Sequence, residues 1–227
     1  MTLLWATAGG LAPARRRIAE GARALAALGL PAAAGVDLAL PDQHAVEHVA
    51  TIAGEARRLL EPAAPAEAVV YVPAYEGGHP DHDAVNLAAA LAAASFGVGE
   101  LGTAALGAVG PGVSVVEFPL YRRGPFGLTA QSPLAPPGTP PDRFTVLPLS
   151  DRDLAGRRDL ARANASQLVP SLLPLLALAR WAGRGRAEPA RPLPAHDYSR
   201  PPHPGRLLYE LYTPWRFAAW AAAAARR

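Results

Sequence analysis

Residues 68–85 read Ala68-Val-Val-Tyr-Val-Pro-Ala-Tyr75-Glu76-Gly77-Gly78-His79-Pro80-Asp81-His82-Asp83-Ala84-Val85. The run from Ala68 to Ala74 is apolar on both faces, the pattern of a strand covered on both sides in a parallel sheet. The glycine pair permits a tight turn, and Pro80 suits the first position of a helix that the spacing carries to about residue 94. Strand, turn and helix in that order open a βα unit, and open α/β sheets hold their ligands at this end of the strand.

Working outward, the same alternation recurs. Residues 3–7 form a short apolar strand. Residues 13–28 carry Ile18, Ala22, Leu25 and Leu28 at helical spacing, with Gly29 as the residue past the helix end. A second strand is expected at 36–40, and Asp42 is placed to cap a helix over 43–60. Further strands are expected at 113–121 and 144–149. Ser150 with Asp153 makes a capping box that starts a helix reaching about 168. This alternation predicts an α/β fold, a Rossmann-like, mostly parallel sheet layered by helices. One domain is expected over 1–227, with its core at about 3–180 and a proline-rich C-terminal extension at 181–227. The proline-rich stretches 133–142 and 189–205 read as loops.

Composition narrows the function classes. Of 227 residues, 50% are hydrophobic and 18% charged, which excludes a disordered polymer. All 22 basic residues are arginine, yet the net charge is only +3, so nothing in the composition supports nucleic-acid binding. The absence of cysteine excludes disulfides, thiolate nucleophiles and cysteine-held zinc. Any metal must be held by His, Asp or Glu. The best apolar run, residues 168–179, is short for a membrane span and broken by Pro170 and Pro174. With no positively charged leader at the N-terminus, a cytoplasmic protein is expected.

The chemistry concentrates at the turn. Gly77 and Gly78 let a substrate approach the backbone closely. His79 precedes the helix and His82 lies in its first turn, so both imidazoles can face one cleft, with Asp81 between them to orient a ring. The helix N-terminus adds partial positive charge where an oxyanion would develop.

Gly77-Gly-His-Pro-Asp-His-Asp-Ala-Val85 closely resembles the second signature of the PIG-L/LmbE family of zinc-dependent N-acetylglucosamine de-N-acetylases. Arg17-Ile-Ala-Glu20 followed by Leu28-Gly29 resembles that family's Arg-x-x-Glu helix, Leu40-Pro41-Asp42 its Leu-Pro-Asp turn, and Ser166-Gln167 its late Ser-Gln motif. Arg157 and Asn164 stand where the family often has Lys and Tyr. The resemblance implies His82 as a Zn2+ ligand, His79 assisting the oxyanion or the leaving amine, Asp81 tuning it, and Arg17 facing an anionic part of the substrate. The implied activity is hydrolysis of the N-acetyl group of a small amino-sugar conjugate by zinc-activated water.

The family's first signature, His-Pro-Asp-Asp-Glu, supplies the remaining ligands and the general base, and it does not occur in this sequence. The chain is therefore expected to lack the first strand and helix of the fold and to turn over poorly. A downstream start site, a degenerate family member and replacement ligands each account for this. Two alternative functions follow: an inactive sugar-conjugate binding domain, or a metallopeptidase built on His44-Ala-Val-Glu47-His48, the inverted zinc motif. His196 and His203 fall in the proline-rich tail and read as loop residues, His203 as one lining a site mouth.

Overall fold

The computed structural model describes residues 1–7, 14–62, 67–96, 112–124, 127–130, 144–167 and 187–226. The loop expected at 133–142, the apolar run 168–179 and Gly9-Gly10 lie outside the described residues. The chain forms two compact units, Met1–Asp42 with Leu147–Glu188, and Gln43–Val146 with Pro189–Arg227.

In the first unit, β1 (Leu3–Thr7) pairs in parallel with β2 (Gly35–Leu40). The crossover between them is α1 (Ala14–Ala27), which packs on β2 and on α4 (Asp151–Ala163). Gly29, at φ 69°, ends α1. Leu30 N–H reaches Leu25 O at 2.9 Å and Gly29 N–H reaches Ala26 O at 3.0 Å, the paired bonds of a Schellman motif. At the start of α4, Ser150 and Asp153 form the expected capping box, with Ser150 N–H donating to Asp153 Oδ2 at 2.8 Å. The helix ends earlier than its periodicity suggests: Asn164 caps it, and Ala165–Gln167 is a 3-10 turn.

In the second unit, β3 (Glu67–Pro73) and β4 (Gly112–Phe118) run parallel in continuous register, from Glu67 opposite Gly112 to Pro73 opposite Phe118. The sheet order is β3-β4-β8-β7, with β8 (Ala187–Pro192) antiparallel to β4 and β7 at Thr145–Pro148. β5 (Tyr121–Gly124) and β6 (Gly127–Ala130) form a hairpin after β4. α2 (Val49–Leu60) lies against α3 (Pro80–Ala94), and α3 covers β3 and β4. Ala84, Ala88 and Ala93 are fully enclosed, so α3 presents almost no face to solvent, and its small side chains let it sit close to Val72, Val113 and Val115. α5 (Phe217–Ala224) closes the chain, burying Trp220.

Four further expectations change. β3 is not covered on both faces: Val69 and Tyr71 are 40% and 60% exposed, while Ala68 and Val72 are buried. α2 starts at Val49, because Ala45–His48 forms a 3-10 turn, and no side chain of its own segment caps it. The α1 stripe is rotated, with Ala24 and Leu25 buried and Ile18 exposed. Residues 189–192, read as the start of a loop, belong to the strand Ala187–Pro192 despite Pro189 and Pro192. Among the described residues, no helix is long and apolar enough to cross a membrane.

Candidate functional site

Sterics shape the turn between β3 and α3. Gly77 adopts φ 70°, which a side chain disfavours, and a Cβ there would come within 2.8 Å of Leu207 Cδ2. At Gly78 the restriction is backbone against backbone, since a Cβ would lie 1.8 Å from Tyr121 O. His79 is the N-cap of α3, with Nδ1 accepting Asp81 N–H at 3.2 Å, and Pro80 occupies the first turn. An Nδ1 that accepts leaves the ring's proton on Nε2.

The two histidine rings lie side by side, with centroids 5.0 Å apart, and Tyr121 meets His82 edge-on at 5.5 Å. His82 Nδ1 is enclosed and has no hydrogen-bond partner. Burial, and then the neighbouring His79, push the His82 pKa down to about 3, so the ring stays neutral. Asp81 is buried and does more for the backbone than for the histidines. Its Oδ2 accepts Gln43 N–H at 2.8 Å and its Oδ1 accepts Ala45 N–H at 3.0 Å, while His79 Nδ1 stands 4.0 Å from Oδ2. Asp81 thus caps the 3-10 turn ahead of α2, the task expected of Asp42. His79 and Asp81 carry donor atoms close enough to share one metal ion.

Behind the turn stands a layer of buried acids that sequence reasoning did not single out. Asp83 Oδ1 accepts Glu76 N–H and Gly77 N–H at 3.1 and 3.2 Å, while its Oδ2 has no partner. Burial raises its pKa well above the ordinary carboxylate range against the pull of those bonds, with the charges of Glu76 and Glu117 adding to the rise. Glu76 Oε1 accepts Leu120 N–H at 2.6 Å and Tyr121 N–H at 2.8 Å, and burial raises its pKa to about 7. These two bonds hold the β4–β5 junction over Gly78. Glu117 behaves oppositely. Burial favours its protonation, but His196 Nε2 at 2.9 Å, the Arg191 guanidinium and Asn86 Nδ2 at 2.8 Å hold its pKa below the usual value.

The C-terminal segment straps the other side. Leu208 N–H donates to Gly77 O at 2.9 Å, Tyr212 OH to Gly78 O at 2.6 Å, and Trp220 Nε1–H to Pro80 O at 3.1 Å. His203, read as a site-mouth loop residue, is 6% exposed, with Nδ1 2.9 Å from Pro204 O; a carbonyl only accepts, so that nitrogen carries the ring proton. His196 is likewise drawn inward, onto Glu117. No local pattern in residues 196–220 announces these contacts.

The structure brings together Gly77, Gly78, His79, Asp81 and His82. Arg17 belongs to the first unit, where its Nη1 donates to Glu20 Oε2 at 2.5 Å and to Asn164 Oδ1 at 3.4 Å. Glu20 is fully enclosed and also accepts Ser166 N–H and Oγ–H, at 2.8 and 2.5 Å. The Arg-x-x-Glu and Ser-Gln motifs therefore meet. Burial opposes ionisation of Glu20, yet the bonds from Ser166 and Arg17 hold its pKa at about 2. His44 and Glu47 pair with each other at 2.9 Å, and the 3-10 turn removes the α-helical register that a His-x-x-Glu-His metal site requires.

A mixed α/β fold with a sheet flanked by helices thus carries a His-Pro-Asp-His turn at the end of β3. Two solved structures share this fold. The crystal structure of the antimicrobial reagent A40926 pseudoaglycone deacetylase Dbv21 superposes with a TM-score of 0.55 at 19% identity, over 84% of each chain. The conserved protein TT1542 from Thermus thermophilus gives 0.53 at 19% identity, over 86% of this chain and 82% of that one. At that identity the likeness is one of fold. No protein-family model and no curated protein matches the chain.

Proposed function

We propose that the protein is a metal-dependent hydrolase that removes the N-acetyl group from a small amino-sugar conjugate, acting as a PIG-L/LmbE-type domain. The fold it shares with a pseudoaglycone deacetylase supports this, as does the family-like turn. The observation that carries it is His82. Its Nδ1 is enclosed and unpartnered, and the ring is held in the neutral form that metal binding requires. Of the nitrogen and oxygen donors that zinc takes, His82 would supply one; His79 and Asp81, whose donor atoms come close enough to share an ion, stand beside it. A zinc ion held there would polarise an amide carbonyl and lower the pKa of its bound water.

The protein's own groups do the rest. His79, with its proton on Nε2, donates to the oxygen on which charge develops and then protonates the leaving amine. Asp81 donates its backbone N–H to that ring and holds Gln43 and Ala45 through its carboxylate. Gly78 lets the substrate approach the backbone, while Tyr121 and the strap at Tyr212 limit access of water. Acetate release from p-nitrophenyl N-acetyl-β-glucosaminide, with and without Zn2+, tests the proposal. Because the His-Pro-Asp-Asp-Glu signature with its general base does not occur in this sequence, we expect slow release that chelation abolishes and that His79→Ala lowers further, by roughly a hundredfold. Zn2+ binding measured by calorimetry should vanish in His82→Ala. Metal-independent release, or Zn2+ binding unchanged in His82→Ala, overturns it.

A further inference from the structure

The C-terminal segment that straps the turn carries an excess of positive charge on its surface. Arg206 and Arg216 are both exposed, and their side chains converge on one backbone oxygen. Arg206 Nη2 donates to Glu210 O at 2.9 Å, and Arg216 Nη1 donates to the same oxygen at 3.0 Å. Two nitrogens that share one oxygen at these lengths lie within about 6 Å of each other, a gap that one oxyanion spans with charge-assisted bonds of about 2.8 Å on each side. A third exposed arginine stands next to them, since Arg123 Nη1 donates to Arg206 O at 3.3 Å.

Among the described residues, no carboxylate pairs with any of the three; they donate only to backbone carbonyls. Glu210 lies on the same turn, but both its oxygens are bonded to backbone: Oε2 accepts Leu207 N–H and Oε1 accepts Phe217 N–H, each at 2.9 Å. A guanidinium has five N–H donors. Arg206 uses only Nη2 and Arg216 only Nη1 among the described residues, which leaves Nε–H and the other terminal nitrogen of each for a ligand. The field is felt nearby: burial lowers the His203 pKa, and the charges of Arg122 and Arg123 add to the fall. Like charges held this close repel until an anion joins them. A carboxylate is matched by one guanidinium fork, whereas a phosphate brings up to two charges and three acceptor oxygens, enough to engage two guanidinium groups at once.

We propose that Arg206 and Arg216, with Arg123 beside them, form a binding site for a phosphate group, either free or as the monoester of a sugar. Leu208 N–H and Tyr212 OH of the same segment hold Gly77 O and Gly78 O, so a sugar esterified to that phosphate extends along the strap that covers the turn. The proposal concerns binding alone and stands independently of the hydrolase reading.

The test is calorimetric titration of the full chain at low ionic strength with inorganic phosphate, glucose 6-phosphate, glucose and acetate; none of these carries the N-acetyl group of the proposed reaction. Both phosphates should bind, acetate at least about fivefold more weakly, and glucose not at all at the same concentrations. An ester that binds more tightly than free phosphate supports a site that extends to the sugar; one that does not supports a site for the phosphate group alone. Arg206→Gln should weaken phosphate at least about fivefold, and Arg206→Gln with Arg216→Gln further still. Arg216 also ties Thr213 O and Trp215 O, so the single Arg206 variant keeps the test decisive if the double variant does not fold. Arg200→Gln is the control: its guanidinium already pairs with Asp197 at 3.3 Å, and affinity should not change. No binding of either phosphate at millimolar concentration, acetate or glucose binding as tightly as phosphate, or a folded Arg206→Gln that binds like the wild type or like Arg200→Gln overturns the proposal.

Discussion

Replacing Gly78 by alanine sets a methyl group against a carbonyl that has nowhere to retreat. The added Cβ would lie 1.8 Å from Tyr121 O, where real contacts almost never fall below 3.0 Å, so the β4–β5 junction must move by about 1 Å. Tyr121 O is backbone, and the junction is tied down by Glu76 through Leu120 N–H and Tyr121 N–H. A shift of that size stretches both bonds past useful length, at about 1 kcal/mol each. The overpacking itself costs about 1–3 kcal/mol. Together these give a loss of about 3–5 kcal/mol, or a fall in Tm of about 10 °C for a chain of this length. Urea unfolding followed by tryptophan fluorescence measures it. Gly77→Ala is the control: its clash is with the Leu207 side chain, which can rotate away, so only the strain of φ 70° remains, at about 1–2 kcal/mol. If Gly78→Ala costs under about 1 kcal/mol, or less than Gly77→Ala, the description of the turn as a backbone-limited contact is wrong.

Two buried acids predict pH dependences of opposite sign. Glu76 has a folded pKa raised from 4.5 to about 7, so the folded state binds its proton more tightly; its contribution is fully present below pH 4.5 and is lost as pH rises through 7. The wild-type protein should lose up to about 3 kcal/mol from this group between pH 5 and 8, and Glu76→Gln should lose correspondingly less, as read from urea midpoints at the two pH values. Identical slopes for the two proteins would dismiss the buried-carboxyl account. Glu20 is depressed to about 2, so its contribution is present above pH 4.5 and disappears as pH falls toward 2. Acid titration followed by circular dichroism should show a shallower loss below pH 4.5 in Glu20→Gln, and an unchanged acid limb would contradict the Ser166–Arg17 cradle.

Much of the fold and part of the site were legible in the chain. The strand at 68–74, the helix opening at Pro80, the Schellman end at Gly29 and the box at Ser150–Asp153 all depend on residues within about five positions of one another. Local sterics and local hydrogen bonds settle such features. The failures were of another kind. Asp42 and Asp81 both precede or open a helical segment, and nothing local says which carboxylate caps the turn at 45–48; Asp81 does so from 36 positions away. Residues 189–192 hold two prolines and read as a loop, yet they join the strand Ala187–Pro192 because β4 offers an antiparallel edge. Val69 and Tyr71 have the side chains of a covered strand, but whether a second layer covers them is not written in their own spacing.

The sequence by itself determined that this chain is α/β, that its candidate site residues gather at Gly77 to His82, and that any metal must be held without thiolates. Glycine pairs, proline at a helix start and histidine spacing act through a few bonds and need no partner. Tertiary structure alone decided that Glu20 meets Ser166 across 146 positions, that Glu76 clamps Tyr121 over the turn, and that His82 Nδ1 is left enclosed and unpaired. Those outcomes follow from burial, which raises the cost of every unpaired polar group and so selects partners by proximity in space, whatever their distance along the chain.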